Sequence, residues 1–573
     1  MPPPRPDNPL IVQGDLTVLA EVDAPRYAEA RDALARFAEL VKSPEHVHTY
    51  RITPLSIWNA CAAGVPVDAI AGALDEYAKY PVPPHLAARV REFADRYGRV
   101  RLDREADEDD DPAGARTLLL RASDAALAEE LARGRGLAPL LADRAGPTTF
   151  RVRADDRGRL KQGLVRAGFP AEDMAGYAEA EPLGITLRSE TLGGAPFALR
   201  PYQADAVAAF HAGGSARGGS GVVVLPCGAG KTVVGMACMA AVGASTLVLT
   251  TSVTAVRQWI AELRDKTTLP WDAIGEYTGD TKDVRPVTVA TYQVLTHRAR
   301  ADAEFTHLAL FDERAWGLIV YDEVHVLPAP VFQVTAGLQA RRRLGLTATL
   351  VREDGREDDV FALIGPKKAD VPWKVLERQG WIATAVCREV RVPIPDDLRL
   401  PYAVAEPRDR FRIAAENPAK EAVVREILAE HAGEPALVIG TYLDQLRALA
   451  GALDAPLLTG ATAQRRRDVL FDAFRAGELP VLVVSKVANF AVDLPDASLA
   501  VEVSGTFGSR QEEAQRLGRL LRPKAGANQA HFYTVVSRDT VEQEVALRRQ
   551  LFLCEQGYGY EIVDAGPYAG RDA

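Results

Sequence analysis

The sequence predicts an α/β protein in which two parallel-sheet domains in tandem follow a mixed α/β N-terminal region. From about residue 191, short apolar runs (GVVVLP, STLVLTT, VTVAT and GLIVYDE) alternate with longer helical or loop segments. A second series begins near residue 435 with PALVIGTY, followed by VLVVSK, LAVEVSG and HFYTVVS. This pattern is typical of strands that are buried on both faces by crossover helices, so each series predicts a parallel sheet.

Length and composition indicate a soluble protein of several domains. The chain has 573 residues, more than one hydrophobic core normally accommodates, and 47% of them are hydrophobic. The net charge is -10, so nucleic-acid binding would have to use local basic surfaces. Five scattered cysteines form no CxxC pair and lie at no metal-ligand spacing, so we expect free thiols and no structural zinc.

The N-terminal region divides at an acidic run, residues 103 to 114, which we expect to be a solvated linker. Before it, ARDALARFAELV and VDAIAGALDEYAKY have helical apolar spacing. After it, TLLLRA and TTFRVRA are typical of strands, with a helix at SDAALAEELARG. We therefore predict one domain over 1–113 and a small α/β module over 114–190. No apolar stretch of eighteen residues and no signal peptide occur, so we expect the cytoplasm.

A glycine-rich turn follows the first apolar run of the first parallel sheet. A strand, such a turn and a helix start direct backbone N–H groups at phosphate oxygens. There Lys231 would reach the β- and γ-phosphates and the Thr232 hydroxyl would ligate Mg²⁺. One departure is Leu225, which stands at the first glycine of GxxxxGK[ST]. The alternative is an ordinary turn with a surface lysine. The predicted ATP-binding segment comprises Leu225, Pro226, Cys227, Gly228, Ala229, Gly230, Lys231 and Thr232.

Two carboxylates end a later strand of the same series. The run Gly317 to Tyr321 continues into Asp322 and Glu323, at the sheet edge that also carries the glycine-rich turn. Asp322 could hold Mg²⁺ through water, and Glu323 could polarise an attacking water. The alternative is a pair of exposed acids at a strand end.

These motifs together resemble a known enzyme class. LPCGAGKT, DEVH and the GLTAT of residues 345–349 are similar to the first domain of superfamily 2 helicases, and QEEAQRLGRLLRP (511–523) matches their QxxGRxxR motif. The resemblance implies that Arg519 and Arg522 reach the γ-phosphate from the second domain, with Arg522 as the arginine finger, and that Gln515 positions the water or nucleotide. A solvated basic helix face is the alternative for this segment.

Three further stretches narrow the resemblance to the XPB family in a bacterial form. They are PEHVHTYRITPLSIWNA, VREDGRED and GTFGSRQEEAQRLGR, and the resemblance covers nearly the whole chain. It implies two RecA-like helicase domains. The first, at 191–395, would bind ATP, and the second lies at 396–573. It also implies an XPB-type domain at 1–113 and a module like a DNA-damage-recognition domain at 114–190. His46 and His48 lack a third ligand nearby, so we expect a structural role for both.

The resemblance also assigns residues outside the phosphate loop. Arg200 and Gln203 would bind the nucleotide, with the glutamine reading the adenine edge, although an ordinary helix N-terminus is the alternative. Segments 250–259 and 291–293, and SKVANFAVDLP from Ser485, would face the nucleic-acid backbone; Lys486–Asn489 departs from the usual glycine-rich turn. Coupling to DNA would use Thr347, Ala348 and Thr349 with the RED motif Arg352, Glu353 and Asp354. For the latter triplet a solvated charged loop is the alternative.

The function implied is an ATP- and Mg²⁺-dependent DNA helicase. The family polarity is 3′ to 5′, and the substrate would be single-stranded, forked or tailed duplex DNA, in repair or transcription-linked remodelling. A monomer with a nuclease or repair partner is expected. The alternatives are a duplex translocase that does not unwind processively, a nucleotide-gated DNA-binding scaffold, and a metabolic P-loop kinase, which a second domain with QxxGRxxR disfavours.

Overall fold

The computed structural model describes residues 4–42, 46–105, 117–226, 228–298, 307–311, 313–339, 341–348, 357–485, 497–505, 529–555, 558 and 560–566. Within these ranges the chain forms four sheets, two of them parallel and seven-stranded. In the same ranges no single helix has the length and apolarity to cross a membrane, although one bent pair of short helices passes that test together.

The first sheet is antiparallel, in the order β1-β2-β4-β3. Its strands are β1 (Leu10–Val12), β2 (Thr17–Glu21), β3 (Glu39–Lys42) and β4 (Val47–Arg51), and the helices beside it are α1 (Tyr27–Leu34), α2 (Pro54–Ala62), α3 (Val67–Tyr77) and α4 (Pro84–Arg96). Thr53 caps α2 in a reciprocal capping box with Ser56. The predicted helix over ARDALARFAELV is only partly right, because its last residues form β3.

The two histidines at the start of β4 have different environments, because His46 precedes the strand and His48 lies within it. His48 is buried, with its Nδ1 2.6 Å from the Tyr27 hydroxyl, and burial lowers its pKa to about 4. His46 is exposed beside Asp23. The packing of His48 is that of a structural residue, and the role expected for His46 stays a prediction.

The second sheet has the order β7-β8-β6-β5-β9. Its strands are β5 (Val100–Arg104), β6 (Thr117–Ala122), β7 (Asp143–Gly146), β8 (Thr149–Arg153) and β9 (Ala171–Asp173), with helices α5 (Ala125–Arg133) and α6 (Arg157–Arg166). Because β5 and β6 pair antiparallel, the acidic run joins two neighbouring strands of one sheet. The boundary expected at residue 113 therefore cuts through this sheet. A charge run marks a solvated loop, but it does not say which sheet its flanking strands join.

The third sheet is parallel, in the order β12-β13-β11-β14-β15-β10-β16. Its strands are β10 (Ser220–Val224), β11 (Thr246–Thr250), β12 (Ile274–Tyr277), β13 (Val287–Thr291), β14 (Leu318–Asp322), β15 (Arg342–Thr347) and β16 (Lys367–Asp370). Its helices are α7 (Pro201–His211), α8 (Lys231–Val242), α9 (Val253–Lys266), α10 (Tyr292–Leu295), α11 (Ala329–Gly337), α12 (Glu357–Leu363) and α13 (Trp373–Arg378). The four apolar runs form the buried strands β10, β11, β13 and β14, which confirms the predicted parallel sheet.

The fourth sheet is also parallel, in the order β19-β20-β18-β21-β22-β17-β23. Its strands are β17 (Thr384–Val392), β18 (Ala436–Gly440), β19 (Leu457–Leu458), β20 (Val481–Ser485), β21 (Leu499–Glu502), β22 (Gln529–Ser537) and β23 (Tyr560–Asp564). Its helices are α14 (Asp396–Val404), α15 (Pro407–Ala415), α16 (Lys420–Glu430), α17 (Leu443–Ala452), α18 (Gln464–Arg475) and α19 (Val541–Glu555). Since β17 pairs with β22 and β23, the chain changes sheets between β16 and β17, before the boundary expected at residue 395.

Helix α6 joins the second sheet firmly to the third. A Cβ at Gly158 would overlap the Ala336 carbonyl oxygen of α11, so the two helices pack in close contact. The buried Lys161 ammonium donates to Gln339 Oε1 (3.0 Å) and pairs with Asp173 (3.0 Å). The small module is therefore attached to the third sheet through buried packing and polar contacts.

Candidate active site

The glycine-rich turn lies between β10 and the N-terminus of α8. Leu225 is fully buried, and its N–H donates to the Thr347 carbonyl (3.0 Å), so this residue continues the strand into the core. Gly228 and Gly230 have φ of 79° and 81°, a left-handed conformation that favours glycine. Helix α8 begins at Lys231, with Thr232 in its first turn. The backbone of this turn therefore requires glycine at positions 228 and 230, whereas leucine is accommodated at position 225. Cys227 lies outside the described residues.

Helix α7 supports this turn. The Ala229 carbonyl accepts hydrogen bonds from Gln203 Nε2 (2.9 Å) and from the Tyr202 hydroxyl (2.8 Å). Gln203 Oε1 accepts from the Arg200 N–H (2.9 Å), so both ends of the buried amide are engaged. In this conformation Gln203 holds the phosphate loop, and the adenine-reading role expected of it stays a prediction. The Arg200 guanidinium stacks on Trp381, 4.6 Å from the ring centroid.

An ion pair joins the turn to the acidic strand end. Lys231 Nζ donates to Glu323 Oε1 at 2.8 Å, and these two side chains are 13% and 17% exposed. Glu323 has a left-handed backbone, with φ 51° and ψ 54°, which is uncommon for a residue other than glycine. The structure therefore brings together the lysine and the acids that the sequence placed ninety residues apart.

Asp322 is held by Trp259 and Tyr292, two residues of segments expected to face nucleic acid. Its Oδ2 accepts from Trp259 Nε1 (2.8 Å) and its Oδ1 from the Glu323 N–H (3.1 Å). The Tyr292 hydroxyl donates to its carbonyl (2.9 Å). Trp259 and Tyr292 belong to segments 250–259 and 291–293, which the family resemblance assigns to the nucleic-acid backbone, and no signal in the sequence placed them beside the acids.

The two carboxylates titrate differently. Burial, followed by the neighbouring charge of Glu323, raises the pKa of Asp322 to about 6. Burial acts in the same direction on Glu323, but the Lys231 ammonium and His325 outweigh it and lower the pKa of this carboxyl. Glu323 is thus ionised across the neutral range, while Asp322 loses its charge under mildly acidic conditions.

A histidine links the acid pair to β15. His325 is buried, with its Nδ1 2.7 Å from Thr347 Oγ1 and 3.5 Å from Glu323 Oε2. The Ala348 N–H also contributes to the lowered pKa of Glu323. The acid pair therefore contacts the start of the TAT segment. His325 belongs to the DEVH motif, but no role was expected for it from the sequence.

Several predicted site residues lie outside the described residues. They are Cys227, Thr349, Arg352, Glu353, Asp354, Gln515, Arg519 and Arg522, together with Lys486–Asn489. The second-domain half of the predicted site and the RED motif thus remain predictions from the sequence.

Family profiles match three parts of the chain. Residues 376–569 match the ERCC3/RAD25/XPB C-terminal helicase family, and residues 196–352 match the family described as type III restriction enzyme, res subunit. Residues 10–146 match a profile described as helicase conserved C-terminal domain. The first of these matches begins within α13, close to the point where the chain passes to the fourth sheet.

Whole-length relatives are similar to this chain. A DNA 3'-5' helicase XPB from Kineococcus radiotolerans is 55% identical over 98% of this chain and 98% of its own length. A protein of the same name from Mycobacterium tuberculosis is 54% identical over 98% of this chain and 99% of its own length. A general transcription and DNA repair factor IIH helicase/translocase subunit XPB from Antonospora locustae is 34% identical over 97% of this chain and 82% of its own length.

Proposed function

The chain belongs to the XPB family of DNA 3'-5' helicases, and we propose that it couples ATP hydrolysis to translocation on DNA and to unwinding of the duplex. The observation that carries this proposal is the Lys231–Glu323 ion pair, because it joins the phosphate loop directly to the acidic strand end. The Asp322 carboxylate beside this pair completes a constellation suited to phosphoryl transfer.

The residues present fit a nucleoside triphosphate with Mg²⁺. Two left-handed glycines and the start of α8 leave backbone N–H groups available for phosphate oxygens. Lys231 would neutralise phosphate charge, while the Thr232 hydroxyl and Asp322 would hold Mg²⁺. When bound, ATP with Mg²⁺ supplies the phosphoryl group whose transfer to water releases the free energy for the motor.

Glu323 orients and polarises the attacking water in this proposal. Its carboxylate is ionised at neutral pH and buried, so it can accept a proton from a water held within hydrogen-bond distance. The ammonium of Lys231 occupies one carboxylate oxygen in the structure described. Lys231 must therefore exchange this partner for phosphate oxygens before Glu323 acts on water.

Closure of the second parallel-sheet domain completes the site. By family resemblance, Arg519 and Arg522 add positive charge at the γ-phosphate and Gln515 positions the water or nucleotide. The contact of His325 with Thr347 supports a route from Glu323 to the segment that carries Thr349 and the RED motif. Movement of this segment would turn changes in the cleft into work on DNA.

The DNA substrate would be held mainly through its phosphates, so sequence preference should be weak. We place its path along segments 250–259 and 291–293 and the segment after Ser485. We also infer a monomer that acts in the cytoplasm, where bacterial DNA lies, with a nuclease or repair protein as partner. The domain limits we propose are those expected from the sequence, with two changes. The boundary at residue 113 moves to before β5, because β5 and β6 belong to one sheet. The boundary at residue 395 moves to the segment between β16 and β17, where the chain changes sheets.

A duplex translocase is the second candidate, favoured by the words helicase/translocase in the name of the Antonospora locustae relative. ATP hydrolysis measured without DNA and with single-stranded, duplex and forked DNA tests the motor itself. Unwinding of 3′-tailed and 5′-tailed duplexes tests the output and its polarity. Lys231→Ala is the inactive reference for both.

The helicase proposal expects DNA-stimulated hydrolysis and unwinding of the 3′-tailed duplex. Hydrolysis stimulated by duplex without strand separation would establish the translocase, and absence of hydrolysis would establish the scaffold. Replacing Arg352, Glu353 and Asp354 together by alanine should spare most hydrolysis and sharply reduce unwinding. Intact unwinding in that variant would contradict the coupling role.

A further inference from the structure

Three side chains near the amino-terminal end of β22 form a compact group. They are His431, Glu434 and His531, whose potential ligand atoms all lie within 4.8 Å of one another. His431 and Glu434 belong to the turn after α16, and His531 is the third residue of β22. Helix α16 packs on β22, so the fold brings together residues that are one hundred positions apart.

The separations suit a small metal ion. His431 Nδ1 lies 3.3 Å from Glu434 Oε1. Two ligands placed about 2.0–2.1 Å from a tetrahedral Zn²⁺ are separated by roughly the same distance. The rings of His431 and His531 have centroids 4.3 Å apart and are tilted by 49°, and one nitrogen of each ring lies within 4.8 Å of the other.

Tyr533 gives His431 the kind of support that metal-bound histidines have. The hydroxyl of Tyr533 lies 3.0 Å from His431 Nε2 and accepts a hydrogen bond from Arg388 Nη1 (2.9 Å). This contact fixes the ring and leaves Nδ1 directed at Glu434. Hydrogen bonding of the second ring nitrogen is the usual arrangement around a ligating histidine.

The charges around the group favour a divalent cation. Arg388 pairs with Glu430 (3.6 Å) and Glu561 (2.7 Å), so two carboxylates offset its charge, and Glu434 adds a further negative charge beside His431. The His431 side chain is 8% exposed while that of Glu434 is 37% exposed, which gives the ion a path from solvent to a shielded imidazole. Two imidazoles and one carboxylate are ligands that Zn²⁺ accepts readily.

We propose that His431, Glu434 and His531 bind one Zn²⁺ ion, which fastens the turn after α16 to β22. The site lies near the amino-terminal end of β22, whereas ligands of parallel α/β sheets bind at the carboxyl-terminal edge. The ion would therefore stabilise the second parallel-sheet domain and take no part in ATP hydrolysis. The competing arrangement is a metal-free hydrogen-bonded chain from Tyr533 through His431 to Glu434.

Titration of the chelator-treated full-length protein with Co²⁺ and Zn²⁺ tests the proposal. We expect one Co²⁺ per chain with the visible absorption bands of a tetrahedral site, displacement by Zn²⁺, and a higher unfolding temperature with Zn²⁺. The double change His431→Ala with His531→Ala should abolish these effects. Glu434→Gln, a change on the surface that preserves size, should weaken Co²⁺ binding at least about tenfold, in line with losses seen around metal sites.

His297→Ala is the matched control, since His297 also faces another histidine, His307, with ring centroids 6.4 Å apart. This variant should bind Co²⁺ like the wild type. Circular dichroism checks the fold of each variant, and Glu434→Gln decides the matter if the double variant does not fold. Absence of saturable binding by the wild type, or equal binding by wild type and Glu434→Gln, would overturn the proposal in favour of the metal-free hydrogen-bonded chain.

Discussion

Replacing Glu323 by glutamine separates two roles of this carboxylate. In the structure it holds the Lys231 ammonium at 2.8 Å, and in the proposed reaction it polarises water. Glutamine keeps the shape but removes the charge. We expect Glu323→Gln to bind ATP more tightly than the wild type, because Lys231 no longer exchanges an ionic partner for phosphate, and to hydrolyse it far more slowly.

The expected gain in ATP affinity can be calculated from the geometry of the Lys231–Glu323 ion pair. Two unit charges 2.8 Å apart attract by about 6 kcal/mol at an effective dielectric constant of about 20. Both groups are largely buried, and desolvation of each ion offsets several kcal/mol of this attraction. A net contribution of about 1–2 kcal/mol would lower the dissociation constant for ATP about 5- to 30-fold. Loss of the water-activating carboxylate should reduce turnover by at least about 10²-fold.

Equilibrium titration with a fluorescent ATP analogue and single-turnover hydrolysis measure the two effects on one preparation. Glu262→Gln is the matched control, since Glu262 also pairs with a lysine, Lys266, at 2.7 Å but lies on α9. It should change neither quantity. Weaker ATP binding by Glu323→Gln would refute the competition between partners, and hydrolysis near the wild-type rate would refute the assignment of the water-activating group.

Four further outcomes are expected. Gly230→Ala should abolish ATP binding, because φ is 81° and the new Cβ would lie 2.5 Å from the Gln203 amide that supports the loop. The control Gly72→Ala, in open space on α3, should bind ATP normally. Equal calorimetric titrations of the two variants would contradict this. In the wild type, kcat/KM for ATP should be lost as the pH falls through about 6, the pKa of Asp322. Trp259→Phe removes a hydrogen bond that lowers this pKa, so the loss should occur about one pH unit higher. Superimposed pH profiles of the two proteins would exclude this. Arg522→Ala should lower steady-state turnover roughly 10³-fold with little change in ATP affinity, and a loss of only a few-fold would assign the residue to structure. Affinity for single-stranded DNA, followed by fluorescence anisotropy, should fall steadily with added salt, and a salt-independent affinity would indicate a different partner.

Apolar runs predicted four of the seven strands in each parallel sheet, because burial on both faces leaves a direct record in local sequence. The strand β17 escaped this reasoning, since its partner β22 begins 145 residues after it and pairing at that distance has no local signal. The acidic run misled for the same reason, as β5 and β6 on its two sides pair with each other.

The same distinction applies to the proposed sites. That Lys231 and Glu323 approach each other follows from parallel topology, because both come directly after carboxyl-terminal strand ends. The bonds from Gln203 to Ala229 and from Trp259 to Asp322 depend on how helices pack, which spacing along the chain does not encode. The same limit hid the proximity of His431 and His531, so the expectation of no zinc site considered only ligands close in sequence.

The tight seam between α6 and α11 has a mechanical consequence. A Cβ at Gly158 would already overlap the opposite backbone, and Gln162 Nε2 donates to Asp359 Oδ1 of α12 at 2.8 Å, so the seam has little room to slide. The small module then behaves as a stiff lever arm on the third sheet. A modest rotation of that sheet would sweep the outer strands of the module through a larger arc, and the stroke would grow with distance from the seam.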